Sequence, residues 1–483
     1  KEKCLKEIDC LRTKTEIAKD LYQYNRLSKE TIEHLLKTLT SMKETIEMYQ
    51  VNHYQAFASY SIKPATNILF VLDRIYHSLD LNINILSNSE QRFLSYQALA
   101  VGERFNSIVK NSALIVDIGG YSLQLTLFDK GKLLTTQHIL IGAINVREYL
   151  KKLFQKADYK EQIFEMIEKE MEVFSNMYLK NISLDYIILL NDQVFQMLRK
   201  YIVKNDGSEL DFDTYLTYIN KMTMENFHTV IPDSEDVEDQ EEIFTPMLLL
   251  LQAISNCLIS RKIYFPDVSV YVGIVYDVAK ETSSLALTHN FEDYIISASW
   301  MIAKRYGSYE PHLVMLEKLS MQMCDTLKKR SGLTKREQLL LRVAAILHDC
   351  GKYISLAAAG QCSYEIIVSS EILGLTHKER EMIAYVARFN RGKILPFIDL
   401  AARFSKEEYV TILKLLAILR VANALDRSHK QKFQNVKMSL KNNELIIKIS
   451  SEDSISLEKG LFETKADYFE EIFMIRPVIC EKK

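Results

Sequence analysis

The hydrophobic pattern of the chain changes near residue 285, and no other sequence feature constrains the fold as strongly. From 286 to 430, long amphipathic helical patterns follow one another without strand signals. Before that point, helical stretches alternate with short apolar runs of strand length, at 83–86, 113–116, 123–128, 184–190 and 268–275. Alternating strands and helices are typical of α/β architecture, whereas successive amphipathic helices are typical of an all-α domain.

Both ends of the chain add further elements. A helical pattern covers 16–48, with Ser28 as the predicted N-cap of a helix, and another covers about 145–178. Near the C-terminus, two alternating runs at 436–440 and 445–449 flank an Asn-rich turn, and this predicts a β-hairpin. Because a helical pattern at 464–473 follows, the sequence predicts a small α+β domain over 432–483.

Composition limits the classes of partner. The 61 basic and 63 acidic residues leave a net charge of -2, so the chain has no global field for nucleic acid or a membrane surface. Seven cysteines without a CxxC pair favour reduced thiols in a cytoplasm. The longest apolar run, Met247 to Leu251, is too short to span a bilayer. We therefore expect a cytoplasmic protein without nucleic-acid or membrane partners.

A glycine-bearing turn joins two of the apolar runs, and its sequence, from Asp117 to Ser122, is Asp-Ile-Gly-Gly-Tyr-Ser. Glycines without a Cβ let backbone N–H groups approach a phosphate closely, and a neighbouring carboxylate can hold hydrated Mg²⁺. An ordinary Asp-Gly turn between strands has the same appearance, so this segment alone leaves both interpretations open.

A helix opening precedes the glycine turn by thirty residues. Ser87 to Leu94 follow the apolar run at 83–86 and place Glu90 in the first turn of a helix, where a carboxylate also suits the helix dipole. The alternative interpretation is a capping box between Ser87 and Glu90.

Together these segments resemble the motifs of the exopolyphosphatase and guanosine pentaphosphatase (Ppx/GppA) family. Residues 87–94 match the family's SGxEEARL, and 117–125 match DIGGGSTEL. Residues 58–67 echo ATSALRDAxN, and 141–146 echo its Leu-Gly-Ala-Val-Arg-Leu stretch. The resemblance implies actin-like ATPase (ribonuclease H-like) lobes, then an all-α HD-like domain and a small α+β appendix. The implied division is lobe I at 1–105, with the first phosphate hairpin missing, lobe II at 106–285, the HD-like domain at 286–431 and the appendix at 432–483.

The resemblance also implies roles for individual residues. Glu90 would be the general base that activates water, and Asp117 would place Mg²⁺. The phosphate oxygens would be held by Gly119, Gly120, Ser122 and Lys63, the last standing where the family has an arginine. The sequence departs from the motifs where Tyr121 replaces the third glycine and Leu123-Gln124 replace Thr-Glu.

A second candidate site lies in the helical part of the chain. The apolar helix at 338–349 ends in His348-Asp349, a pair that alone is more typical of a structural contact than of metal ligands. With His312 before it and Asp426 after it, the order H…HD…D resembles the HD superfamily of metal-dependent phosphohydrolases. The resemblance implies that these four residues bind a divalent metal ion that activates water. Cys362 and Asn390 stand where related proteins have further histidines, so one ion is expected at most.

The implied function is a phosphoanhydride hydrolase that releases terminal phosphate from inorganic polyphosphate or guanosine pentaphosphate with Mg²⁺ as cofactor. A homodimer is the expectation carried over from the family. Two alternatives stay open at the level of sequence. One is a catalytically weak polyphosphate- or nucleotide-binding regulator on the same scaffold, and the other is a phosphohydrolase whose chemistry lies in the HD-like domain.

Overall fold

The protein was analysed as a computed structural model. It describes residues 8–13, 15–101, 103–120, 122–153, 159–190, 209–224, 237–266, 270–282, 291–433 and 435–481. The described chain contains mixed α/β sheets in its first part, a helical region after residue 291, and a small sheet near its C-terminus.

The N-terminal part is mostly helical. Its elements are α1 (Ile17–Tyr24), α2 (Lys29–Met48), β1 (Ala56–Ala58), α3 (Ile68–Leu79), β2 (Ile83–Ile85), α4 (Asn88–Val101) and α5 (Glu103–Val109). The helix predicted over 16–48 is two helices, because Asn25 adopts a left-handed φ of 52° and ends α1. The predicted cap at Ser28 is confirmed, since its side chain accepts a hydrogen bond from the Thr31 N–H. Strands β1 and β2 pair in parallel, so the residues after β1 lie beside the start of α4.

A six-stranded mixed sheet follows. Its strands are β3 (Ala113–Ile118), β4 (Leu123–Asp129), β5 (Lys132–Ile139), β6 (Leu184–Leu190), β7 (Glu209–Asp211) and β8 (Ser260–Tyr264). Its helices are α6 (Ala143–Leu153), α7 (Tyr159–Phe174), α8 (Phe212–Met224), α9 (Val237–Cys257) and α10 (Val270–Thr282). The spatial order is β5-β4-β3-β6-β8-β7. Strands β3, β6 and β8 are parallel, while β4 pairs antiparallel with both β3 and β5.

Both faces of the central strands β3, β4 and β6 are buried, and neighbouring residues of these strands lie in two different apolar cores. Leu114 and Val116 of β3 belong to the core that α6 to α9 complete. Ala113 and Ile115 point the other way, into a core that continues through the helical region. The Phe128 and Tyr294 rings meet edge to face across this second core, with centroids 5.0 Å apart. The sheet is therefore held between its own helices and those that follow residue 291.

From residue 291 to residue 425 the described elements are helices. The α-helices of this region are α11 (Phe291–Arg305), α12 (Glu310–Leu327), α13 (Lys335–Leu347), α14 (Ala359–Ser369), α15 (His377–Phe389), α16 (Phe397–Leu400) and α17 (Lys406–Leu425). Helices α13, α15 and α17 each open with a capping box in which a Ser or Thr and a Glu three residues later satisfy each other's backbone N–H. These caps fix the helix starts, and thereby the helix ends that carry His348 and Asp426.

The C-terminal part confirms the predicted β-hairpin. Strands β9 (Lys437–Lys441) and β10 (Glu444–Ile449) are antiparallel, and the two turn residues, Asn442 and Asn443, both adopt positive φ as a tight hairpin requires. Helix α18 (Ser456–Phe473) then leads to β11 (Arg476–Glu481), which pairs in parallel with β10. Strand β11 was not predicted from the sequence.

One predicted strand is wrong. Residues 270–275 of the apolar run at 268–275 form part of α10, and the strand near the run is β8, at Ser260–Tyr264. A short apolar run does not separate a buried helix from a buried strand by periodicity alone. Here the run packs along α4, so close that a Cβ on Gly273 would lie 2.0 Å from the Leu94 carbonyl oxygen. Residues 267–269, at the start of the run, lie outside the described residues.

Across the described ranges, we find no helix that is both long and apolar enough to span a membrane.

The contact between α10 and α4 gives the first prediction. Gly273→Ala should destabilise the protein by about 1–3 kcal/mol, because a methyl group at this position overlaps the backbone of α4. Gly460→Ala in α18 is the matched control, since no atom lies within 4 Å of the added Cβ, and it should raise stability by up to about 1 kcal/mol through helix propensity. Thermal unfolding of the two variants beside the parent measures the difference. Equal shifts would show that the two helices do not meet at Gly273.

Candidate functional site

The turn between β3 and β4 is fixed against the start of α6. The Gly119 N–H donates to the Ser122 carbonyl at 2.8 Å, which closes the turn. The carbonyls of Gly119 and Gly120 accept from the Ala143 and Ile144 N–H groups at 3.1 and 2.6 Å. These contacts satisfy N–H groups that a helix start otherwise leaves unpaired. A Cβ on Gly142 would lie 2.4 Å from the Ser122 nitrogen, so this position has room only for glycine.

Arg92, in the second turn of α4, lies directly on this glycine turn. Its Nη1 donates to Gln124 Oε1 at 2.6 Å, and its Nη2 donates to Ser122 Oγ at 2.8 Å. Its Nε lies 3.4 Å from Asp117 Oδ2. The Arg92 side chain is only 8% exposed and that of Asp117 is 17% exposed. Burial raises the pKa of the Asp117 carboxyl, and Arg92 opposes that rise. The guanidinium is thus a buried cation that joins α4 to three side chains of the hairpin.

Glu90 forms the capping box that the sequence analysis gave as an alternative. The Ser87 N–H donates to Glu90 Oε2 at 2.8 Å, and the Glu90 N–H donates to Ser87 Oγ at 3.2 Å. The side chain is half-buried. A capping contact uses one carboxylate oxygen and leaves the other available. The capping role and a role toward substrate are therefore compatible.

Gln91 bonds the start of α4 to a third segment. Its Oε1 accepts from Ser59 Oγ at 2.9 Å and from the Tyr60 N–H at 3.2 Å. Lys63 follows in the same short segment, where it is exposed and its Nζ lies 5.6 Å from the centre of the Tyr60 ring. The structure thus brings the segment of Lys63, the first turn of α4 and the glycine turn to one place.

Gln91, Arg92 and Gln124 connect these segments by hydrogen bonds, and their roles were not predicted from the sequence. Arg92 stands at the alanine of the SGxEEARL pattern, and Gln124 stands at the glutamate of DIGGGSTEL. The two departures together were a signal, because a new positive charge and a lost negative charge shift the charge of one site in the same direction, by two units in total. Tyr121 and residues 191–193, where the sequence lacks further family glycines, lie outside the described residues.

The second candidate site is a buried cluster at the ends of three helices. His312 lies in the first turn of α12, His348 ends α13 and Asp426 ends α17. One ligand atom each from His312, His348 and Asp349 can be chosen so that all three lie within 4.8 Å of one another. The predicted convergence of the four residues is confirmed, since Asp426 Oδ2 lies 2.8 Å from His312 Nδ1.

The hydrogen bonds of this cluster fix both imidazole rings. His348 Nδ1 lies 2.9 Å from the Ala345 carbonyl, and His312 Nδ1 faces Asp426, so each Nδ1 carries the proton. In the neutral form of each ring, Nε2 then presents a lone pair, and neither Nε2 makes a hydrogen bond within the described residues; in the protonated form, His348 Nε2 pairs with the Asp349 carboxylate 3.3 Å away. Asp426 accepts two further bonds from Gln431, at 2.9 and 3.2 Å. Its contact with His312 resembles the carboxylate that orients a metal-bound histidine.

Asp349 carries the charge of the cluster. Burial alone would raise its pKa, but His348 and Lys352 hold the pKa well below its usual range. Its Oδ2 lies 3.3 Å from His348 Nε2 and also contacts the Lys352 ammonium, while Arg391 Nη2 lies 3.2 Å from its Oδ1. A lone pair and a carboxylate oxygen this close repel each other unless a cation lies between or beside them. Lys352 supplies that cation in the present arrangement.

His429 covers the cluster from outside. Its ring stacks on the His312 ring with centroids 3.7 Å apart and planes 8° apart. Burial, His312 and Lys352 lower the pKa of His429 to about 4. Asn390, which stands where related sequences have a histidine, is buried, and neither of its side-chain polar atoms is bonded within the described chain. Cys362 is half-buried.

Comparison with known protein families places the chain among the phosphatases. The model of the Ppx/GppA phosphatase family matches residues 2–282, and the model of Ppx/GppA phosphatase, domain III, matches residues 310–468. The chain belongs to the Ppx/GppA phosphatase family.

Individual relatives have low sequence identity to this chain but align with it over most of its length. A guanosine-5'-triphosphate,3'-diphosphate pyrophosphatase of Photobacterium profundum is 19% identical over 439 residues, covering 90% of this chain and 85% of the relative. The Vibrio vulnificus protein of the same name is 21% identical over 416 residues, covering 85% and 81%. A crystal structure of the Aquifex aeolicus member of the family aligns with a TM-score of 0.44 and 18% identity, covering 56% of this chain and 88% of that one.

The hydrogen bonds of Asp426 give the second prediction. Asp426→Ala should cost about 3–5 kcal/mol of stability, because His312 Nδ1 and the Gln431 N–H lose a buried charged acceptor. Asp426→Asn, which keeps one acceptor oxygen, should cost less. Denaturant unfolding followed by circular dichroism measures both. An alanine variant as stable as the parent would show that the carboxylate does not hold this cluster together.

Proposed function

We propose that this protein hydrolyses phosphoanhydrides, releasing the terminal phosphate of guanosine pentaphosphate or of inorganic polyphosphate at the opening of α4. The proposal rests on one observation: side chains from the first two turns of α4 make hydrogen bonds to two different segments of the chain. Gln91 bonds the segment that contains Lys63, and Arg92 bonds the glycine turn. These two contacts support a site in which Glu90, beside Gln91, faces a phosphate bound by Lys63 and the backbone of the glycine turn, as hydrolysis of an anionic substrate requires.

In the proposed reaction, Glu90 accepts a proton from a water molecule as that water's oxygen attacks the terminal phosphorus. A new P–O bond forms, the bridging P–O bond breaks, and the shortened chain leaves with the bonding electron pair. Lys63 and the backbone of the glycine turn bind the phosphate oxygens, whose charge is spread over the transferring group in the transition state. Ser122 Oγ, fixed by Arg92, contributes to the wall of this site.

The relatives that align over most of this chain are named guanosine-5'-triphosphate,3'-diphosphate pyrophosphatase. Guanosine pentaphosphate is therefore the first substrate to test, ahead of polyphosphate. A phosphate-release assay with guanosine pentaphosphate, polyphosphate and ATP, each with and without Mg²⁺, compares the candidates. Phosphate release from none of the three would contradict the proposal.

The division of the chain is also part of the proposal. The strand order β5-β4-β3-β6-β8, with β4 antiparallel, supports an actin-like, ribonuclease H-like lobe at 106–285. The histidine–aspartate cluster supports an HD-like domain at 286–431, between lobe I at 1–105 and the appendix at 432–483. A homodimer and a cytoplasmic location complete the proposal as expectations from the family resemblance.

A divalent metal ion at the histidine–aspartate cluster is the second proposal. The donors fit, because the Nε2 atoms of His312 and His348 present buried lone pairs next to the Asp349 carboxylate. Imidazole with carboxylate suits Mn²⁺ or Fe²⁺, which would supply an activated water for hydrolysis. In the structure Asp426 orients His312, and its own role as a ligand stays a prediction.

This cluster favours one of the alternative functions, an HD-type phosphohydrolase, over a purely regulatory protein. The orphaned lone pairs are the specific observation. If phosphate release survives Glu90→Gln and is lost in His348→Ala, the chemistry lies in the helical region. If the parent binds guanosine pentaphosphate or polyphosphate and releases no phosphate from them, the regulatory alternative applies.

The third prediction tests Glu90 as a base apart from its role as a cap. Glu90→Gln should lower phosphate release by about 10²–10⁴-fold, because an amide cannot accept the proton. Thermal stability should hardly change, since Gln also serves in a capping box.

Ser87→Ala is the matched control. It removes the hydroxyl that accepts from the Glu90 N–H, so it should cost about 1 kcal/mol of stability while leaving the carboxylate in place. An unchanged kcat in Glu90→Gln would show a residue that only caps α4.

The fourth prediction concerns the metal. Protein purified without chelator should contain up to one Mn²⁺ or Fe²⁺ per chain, and His348→Ala should remove it. Lys352→Ala should instead raise the affinity for Mn²⁺, because the ammonium that competes for Asp349 is gone. Elemental analysis and Mn²⁺ titration measure both. Metal content that His348→Ala leaves unchanged would exclude this cluster as the site.

A further inference from the structure

We propose that Arg92 is the resident cation of the glycine turn, and that phosphate groups bind there without a divalent ion on Asp117. The inference deepens the proposed function, since it concerns the same anion site. It also departs from what the family resemblance implies, which is Mg²⁺ held by Asp117.

The donors at the turn do not fit Mg²⁺. This ion requires near-octahedral oxygen ligands, commonly one or two carboxylates together with waters and substrate phosphates, so a single carboxylate serves only where no other cation already pairs with it. Among the described residues of the turn, 117–120 and 122–124, Asp117 is the one carboxylate, because Gln124, its register partner on β4, carries a neutral amide. A dication on Asp117 Oδ2 would also stand beside the guanidinium, whose Nε is 3.4 Å from that oxygen, and like charges at such distances repel strongly in a buried site.

The charges of the turn balance without a metal ion. The formal charges of Asp117 and Arg92 add to zero. At a turn that kept the glutamate of the DIGGGSTEL pattern, the charges of two carboxylates and one Mg²⁺ would also add to zero. The two departures from the family patterns are in direct contact, since Arg92 Nη1 donates to Gln124 Oε1 at 2.6 Å. A glutamate at 124 would place a second negative charge here, and an alanine at 92 would leave Asp117 without this cation.

The guanidinium is held too firmly to be an incidental contact. All three of its nitrogens face the hairpin, at Asp117, Ser122 and Gln124, and the side chain is 8% exposed. A buried charge is costly unless it is paired and hydrogen-bonded, and here it is both. Its field cancels that of Asp117, so that no negative charge of the turn repels a phosphate there, which is the part that a bound cation would play. The field also reaches His138 on β5, whose pKa burial and Arg92 lower.

The first test counts ions and does not depend on hydrolysis. Mn²⁺ binding is followed by electron paramagnetic resonance on the full chain carrying His348→Ala, which removes the other candidate metal site. We expect the number of Mn²⁺ ions bound by this protein to be the same with and without the further substitution Asp117→Asn. Adding Arg92→Ala with Gln124→Glu, which restores two carboxylates, should create about one new Mn²⁺ site per chain. An ion in the His348→Ala protein that is lost on Asp117→Asn would overturn the inference.

The second test uses tripolyphosphate as the probe, with calorimetry in the presence of EDTA. The parent chain should bind it, and Arg92→Ala should weaken binding by about tenfold or more, because the buried positive charge is lost. Arg92→Lys, which keeps the charge without the planar fork, should lie between them, and it also serves if the alanine variant does not fold. Binding that requires Mg²⁺, or that Arg92→Ala leaves unchanged, would refute the inference. A chain that binds tripolyphosphate in EDTA but releases no phosphate would refute the hydrolase proposal alone.

Discussion

The burial of β3 on both faces is the constraint on which the rest of the structure depends. Residues 113–116 are fully buried, alternate residues point into different cores, and the strand hydrogen-bonds β4 on one side and β6 on the other. A strand held in this way cannot shift its register without moving apolar side chains out of both cores. Its end, at Asp117, is therefore a fixed point. The glycine turn, the start of α6 and the side chain of Arg92 are all positioned from it.

Two buried carboxylates are stabilised by different means in the two halves of the molecule. Asp117 is bonded by a planar guanidinium that is itself buried and whose remaining nitrogens are occupied. Asp349 is contacted by Lys352 and Arg391, whose side chains are 27% and 38% exposed and can move away. An unpaired buried carboxylate is costly, so each needs a cation. The cation on Asp117 is built into the fold, whereas the cations on Asp349 can be exchanged.

The sequence predicted those features that depend on local patterns. The hairpin around Asn442 and Asn443, the Ser28 cap and the convergence of His312 with His348 followed from turn chemistry, capping and motif order. Arg92 was beyond such reasoning, because its role depends on hydrogen bonds across thirty positions of sequence. The run at 268–275 was misassigned since packing on α4, rather than its own periodicity, makes it helical. Glu90 could be placed at a helix start, but its pattern is the same for a cap and for a base.

The apolar core that includes Ile115 and Phe128 of the sheet continues without interruption to Tyr294 and the helices behind it. The two family models meet the chain on either side of this contact, one ending at 282 and the other beginning at 310. A protein shortened to the first of these regions would present to water the sheet face that this core covers. Such a fragment would be prone to aggregate, and a fragment starting at 310 would lack α11, which covers the same surface. In this chain, the boundary between the regions that the two family models match is not a boundary of the apolar core.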